Sequence, residues 1–427
     1  MKIGPSMLLE MDTVRHDQDI FRSYAVGESG GLGYTEPGVA YPGITEVWPI
    51  DTNLLRDADD PAVTSGGTPI AANMMVVFGP VAEGWRGATL LKSNTSGEWV
   101  AQEAGFDGPA WGPLLTSLPA VDVDTLNAPL LGPLETEVDP FSITVKPAYG
   151  ADELFSITDI EFFNGVNSAV IGNVGGWEII HYRDVTDNGD GTYTLSHILR
   201  GRRGTEHVAS RGHRGGVFIR LTTPDVMISN YTIPGELGSF MRFRADSSGS
   251  LDFEGVPRTG LVEANVLRPY AGCAFEAVEN AGDIDMEWIR RTRVGGQDDF
   301  LDGVTEVPLS ELTEEYEIEV YMLDDQETVV RTVTGLTSPA WTYTAAMMAT
   351  DSVTINDEFA FYIYQISGTV ERGFPLIGVW AEEVDYAVAT ASDIQEYTDA
   401  AAATAEDAEW MAVGSLDLDG SSEYAES

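Results

Sequence analysis

Apolar and polar residues alternate with a period of two along several short stretches of this chain. In YEIEVYML (316–323), Ile318 and Val320 fall on one face and Glu317 and Glu319 on the other. That alternation predicts a half-buried strand. MEWIRRTR (286–293), TVVRTVT (328–334) and EFAFYIYQIS (358–367) read the same way. Further upstream, Ile143 and Val145 alternate with polar neighbours. Segments 177–185 and 192–199 form a strand pair around the turn Asp187-Asn188-Gly189-Asp190-Gly191, and GVFIRLT (216–222) is another strand. ATLLKSNTSGEWVAQ (88–102) reads as a hairpin around Asn94–Gly97. MMVVFGPV (74–81) does not alternate at all. A continuous apolar run of that length predicts a strand buried on both faces.

The predicted class is all-β, with several β-sandwich or barrel-like domains in tandem. The 45 glycines and 21 prolines punctuate the strands throughout. The expected units are a Gly/Pro-rich β domain over 1–135, a second β domain over 136–258, a small β-sandwich over 259–382 and an acidic tail over 383–427. A linker is expected near 128–141, where three prolines fall close together. Helical character appears only near the end. Residues 393–413 are rich in alanine and acids, and GSLDLDGSSEYAES after them reads as disordered.

Charge narrows the functional classes. Asp and Glu number 69 against 23 Lys and Arg, a net charge of −46. Such a surface repels phosphate backbones and anionic lipid, so neither nucleic acid nor a membrane is an expected partner. No stretch has the length of a membrane span. The first residues have one lysine and a four-residue apolar run, which is not a signal-peptide pattern. The single cysteine, Cys273, cannot build a disulfide framework within one chain.

Against that background, one stretch inverts the sign. His181, His197, His207 and His213 lie close in sequence, together with Arg200, Arg202, Arg203, Arg211, Arg214 and Arg220. The His-x5-His spacing at 207 and 213 is off the usual zinc pattern, and there is no HExxH or GxSxG. No metal, cofactor or catalytic residue is therefore expected. The DNGDG run reads as a hairpin turn rather than a calcium loop. The preferred reading of the basic run is a salt-bridging inter-subunit contact loop formed by Arg200, Arg202, Arg203, Glu206, His207, Arg211, His213 and Arg214. So many acids also leave a paired-carboxylate hydrolase open. Trp85, Trp99 and Trp111 could stack on sugars or pack in cores.

The run YTLSHILRGRRGTEHVASRGHRGGVFIRL (193–221) resembles the C-terminal portion of the large tail-tip, or host-specificity, protein of gene transfer agents and related siphophages. Upstream, GWRGATLLKS (84–93) and FNGVNSAVIGNVGGWEIIHYRDV (163–185) are similar to the same family. Downstream, MEWIRRTRVGG (286–296) and VPLSELTEEYEIEVY (307–321) resemble its terminal fibronectin type III-like domain. The resemblance spans about residues 50–381. It implies a structural, non-enzymatic virion protein at the tail tip or baseplate. It also implies a homotrimer on the tail axis, whose partners are a separate hub protein, other tip or fibre proteins and a host receptor. A tail-borne polysaccharide depolymerase or cell-wall hydrolase, and a carbohydrate-binding adhesin, are the alternatives.

Overall fold

The computed structural model describes residues 43–381, apart from 56–73, 82–83, 94–96, 121–140, 174–175, 223–225, 230–235, 250–253, 295–306, 308 and 369, together with a short strand pair, β1 (Lys2–Ile3) and β2 (Leu9–Glu10). The chain is mostly strand, in antiparallel sheets, as the alternation predicts.

The first large sheet has seven strands. β3 (Thr45–Ile50), β4 (Met74–Pro80), β5 (Ala88–Ser93) and β6 (Trp99–Gly105) come from the early chain. β13 (Val226–Ser229), β14 (Phe240–Ser247) and β15 (Arg258–Leu261) come from much later. Their order is β13-β4-β3-β14-β5-β6, with β15 on β14. The end strands β13 and β6 approach one another, so the sheet curls towards a barrel. Val47, Val76, Phe78, Leu90, Met241 and Phe243 share one core cluster.

The second sheet runs β7 (Trp111–Pro113), β12 (Val217–Arg220), β9 (Ser168–Asn173), β10 (Gly176–Asp187), β11 (Tyr193–Arg202) and β8 (Ser142–Val145) in spatial order. The two sheets pack through a shared core, in which Trp48, Ile50, Met75 and Val77 meet Val170, Ile179 and Ile219. Alternate residues of β4 thus enter two different cores, and all seven are buried. That is why its sequence shows no polar face. Val76 and Val77, both 0% exposed, contribute about 1.5–3 kcal/mol each by burial. At the far end of the second sheet, the short helix α1 (Asp159–Phe163) begins with a capping box between Thr158 and Glu161.

This pairing departs from the expected division at 135. Strands on both sides of that position belong to both large sheets, so the chain from 45 to about 267 builds one double-sheet body. The boundary at 258/259 shifts too. β15 pairs with β14, and Ala264, Val266 and Leu267 enter the core between the two sheets. The expected linker over 128–141 and the acidic tail over 383–427 lie almost wholly outside the described residues.

The last unit is a seven-stranded sandwich. One sheet is β16 (Cys273–Asn280), β17 (Asp283–Ile289) and β20 (Ala340–Tyr343). The other is β19 (Asp325–Leu336), β18 (Tyr316–Met322), β21 (Phe359–Ser367) and β22 (Glu371–Trp380). This three-plus-four arrangement is fibronectin type III-like. Ile318 and Val320 are 0% exposed, on the face expected for them. They pack with Ile284, Trp288, Phe359 and Phe361. Helix α3 (Ala345–Asp351) bridges β20 and β21, and Thr344 caps its start.

Candidate functional site

The basic run begins in the last residues of β11 and turns inward rather than outward. Arg200, Arg202 and Arg203 are 2%, 3% and 1% exposed. Gly201 and Gly204 take left-handed backbone conformations, and a Cβ on Gly204 would sit 2.5 Å from the Tyr270 ring. Those two glycines let the chain coil tightly into helix α2 (Glu206–Ala209).

The partner that draws Arg200 inward is Glu178 on β10, itself 0% exposed. Arg200 grips it in two parallel hydrogen bonds, Nε to Oε1 at 2.6 Å and Nη2 to Oε2 at 2.8 Å. His213 Nε2 lies 2.8 Å from Oε2, and the Gly201 N–H donates to Oε1 at 2.9 Å. Burial pushes the Glu178 carboxyl up. The hydrogen bonds and charges of His213 and Arg200 outweigh that and hold it below the usual carboxylate range.

The residues after Arg200 fasten other parts of the molecule. Arg203 donates to the Leu54 carbonyl at 2.5 Å and to Ser168 Oγ at 2.9 Å, joining the barrel sheet to β9. Thr205 Oγ1 accepts the Ile179 N–H at 2.9 Å. Glu206 pairs with Arg291, which follows β17 of the sandwich. The His207 ring stacks on Phe374 of β22 at 4.2 Å between centroids. One run of eight residues, Arg200–His207, therefore contacts both large sheets and the sandwich.

The expected inter-subunit loop is corrected accordingly. Arg200, Arg202, Arg203, Glu206 and His213 are buried within the chain, and Glu178, Leu54, Ser168 and Arg291 engage the polar groups of all of them but Arg202. His207 is half-buried. Only Arg211 and Arg214 are exposed. A glutamate inside the apolar strand GWEIIHY was the available signal, since a carboxylate at an inward position demands a cationic partner.

The four histidines separate in space. His181 is buried in β10, His197 Nδ1 lies 2.7 Å from Asp184, His207 stacks on Phe374 and His213 joins Glu178. Among the described residues, no three His, Cys, Asp or Glu side chains are grouped to hold a metal ion. Burial pushes the Cys273 thiol up, which disfavours a thiolate. The three tryptophans weighed between core packing and sugar stacking all make contacts within the chain. Trp111 meets Trp48 at 4.9 Å, Trp85 donates to Thr45 at 2.9 Å, and Arg244 covers the Trp99 ring at 4.6 Å.

Beside the run opens a groove of about 850 Å³ that the sequence did not single out. Trp48, Asp51, Trp177, His207, Arg211, Phe240 and Arg268 are among the residues that line it. Asp51 accepts the N–H groups of Glu263 and Asn265. Burial pushes its carboxyl up to about 6, against the lowering effect of those hydrogen bonds. Burial lowers the His207 pKa, as do Arg211 and Arg268, while Glu206 and Gly204 oppose the shift.

Comparison with known families addresses one of these regions. Residues 132–219 match the family described as Rcc01698-like, C-terminal. The matched stretch is well under half of the chain. It holds β8 to β11, the inward-turning run and most of β12, so it coincides with the second sheet and its clamp. The same stretch contains most of the 193–221 run on which the tail-tip resemblance rests. No match to a curated protein was found.

Proposed function

We propose that this protein is a structural subunit of the tail tip or baseplate of a phage or gene transfer agent, joining the tail hub or tube to distal elements. The observation that carries the reading is the ILRGRRGTEH run. It lies within the matched stretch, and its side chains tie two sheets and a terminal sandwich into one body. A connector under load needs fixed angles between its parts. Buried bidentate pairs supply them better than flexible linkers do.

In this reading the chain sits as a trimer on the tail axis, contacts a separate hub protein and faces the host surface with its outer parts. The strongly acidic exterior directs it towards basic neighbours and away from packaged nucleic acid.

Immunogold electron microscopy of intact particles, with an antibody against this chain, tests the proposal. Gold confined to the distal end of the tail is the expected result. Particles whose denatured proteins also lack the chain would sink the virion assignment and bring the hydrolase reading forward.

A further inference from the structure

The groove beside the basic run is lined by the carboxylates of Asp51 and Glu263, by Arg258, which pairs with Glu46, and by two arginines that make no ion pair among the described residues. Elsewhere, arginines sit against carboxylates, as Arg293 does on Glu311 at 2.9 Å and Arg331 on Asp351 at 2.6 Å. Arg211 and Arg268 have no carboxylate partner among the described residues, although acids outnumber bases 69 to 23. The Nε of Arg268 is buried and has no hydrogen-bond acceptor among the described residues. His207, Arg211 and Arg268 all line the groove. The Arg268 guanidinium lies over the Phe374 ring at 5.7 Å, and a ligand carboxylate would give it and Arg211 the counter-charge they lack.

The rest of the groove narrows the ligand class. Trp177 and Phe240 lie along it, and Phe240 is 60% exposed. Asn173, Asn265 and Thr259 add amide and hydroxyl groups suited to sugar hydroxyls. Aromatic faces flanked by such groups suit pyranose rings, whose C–H faces are apolar and whose rims are polar. The volume of about 850 Å³ falls in the range for small-molecule sites and fits a short oligosaccharide.

We propose that this groove binds an acidic saccharide, with its carboxylates on Arg211 and Arg268 and a sugar ring against Trp177 or Phe240. The inference rests on the tail-tip reading only for the origin of the sugar, a host-surface polysaccharide.

Calorimetric titration of the full chain with trigalacturonate tests it. The expected result is saturable binding that weakens with added salt. The fully methyl-esterified trimer, which keeps the rings and loses the charge, should bind at least about tenfold more weakly. Arg211→Gln and Phe240→Ser change exposed side chains, so both variants should fold normally and each should lose about tenfold in affinity. The proposal is overturned if trigalacturonate shows no saturation up to about 10 mM, if the ester binds equally, or if both variants bind as the parent does. It is also overturned if hexaglutamate binds more tightly than the saccharide, which would make this an acidic-peptide site. Purified protein suffices, so a negative result here leaves the particle localisation standing, and the converse also holds.

Discussion

The Glu178 group of the double-sheet body and the sheet-face pairs of the terminal sandwich use the same ion-pair chemistry at different depths. In the body, Glu178 and Arg200 are almost wholly out of water, and His213 completes the group. In the sandwich, Arg372 bridges Glu317 and Glu319 across a sheet face while remaining 40% exposed, and Arg331 with Tyr343 holds Asp351 near the surface. A buried pair costs desolvation and is repaid only while every partner is present, whereas an exposed pair is screened and replaceable. The contrast teaches where rigidity resides. Both units rest on apolar cores, but the geometry of the run after β10 depends on a buried group that tolerates no loss, whereas the sheet-face pairs of the sandwich can be lost at small cost.

The largest expected effect comes from breaking the buried member. Glu178→Gln leaves Arg200 and His213 without a counter-charge and should destabilise the body by about 3–5 kcal/mol. Urea titration followed by tryptophan fluorescence would show an early transition from the body, with the sandwich transition in place. A variant that unfolds like the parent would erase the contrast between the two regions.

Acidification should follow the same division. The folded Glu178 carboxyl lies below its usual 4.5, so its contribution to stability is fully present above that pH. It is lost as the pH falls through the folded value. Asp51 behaves oppositely. With a folded value of about 6 against 3.8, its contribution is present below 3.8 and is lost as the pH rises through about 6. Urea midpoints measured from pH 3 to 7 should flatten on the acid side in Glu178→Gln and on the neutral side in Asp51→Asn.

Smaller effects are expected in the sandwich. Tyr343→Phe removes the hydroxyl that donates to Asp351 at 2.6 Å and should cost about 1–2 kcal/mol, read from the sandwich transition. Arg372→Ala, at a partly exposed pair, should cost less than about 1 kcal/mol, and even less at high salt. A larger loss at Arg372 would mean that the sandwich also depends on its ion pairs.

What could be read from the sequence follows from how local each signal is. Alternation at Ile318 and Val320 places the strand and its inner face, because both depend only on neighbours two residues away. The turn at 187–191 was equally legible, with the Asp187 and Asp190 side chains accepting the N–H groups of Gly189 and Thr192. The continuous run at 74–80 announced burial on both sides. It could not announce that its partners include Val226–Ser229, because pairing across so many residues leaves no periodic trace. The division expected at 135 failed for that reason. The arginines drew notice by their sign, but their direction was set by Glu178, one acid among 69. The groove went unnoticed because its lining comes from parts of the chain as far apart as Val47 and Phe374.

Pairing between β4 and β13 also has a consequence during synthesis. Met75 of β4 pairs with Ile228, so the nascent chain must extend by about 150 residues before the partner exists. At 5–20 residues per second, that wait is about 8–30 s. Throughout it, an all-apolar strand with an open hydrogen-bonding edge stands without its final neighbour, the condition in which strands associate with other chains. The crowded polysome, rather than the finished fold, is where this chain is most exposed to aggregation. A ribosome-bound holdase is the cellular factor on which its yield should depend most.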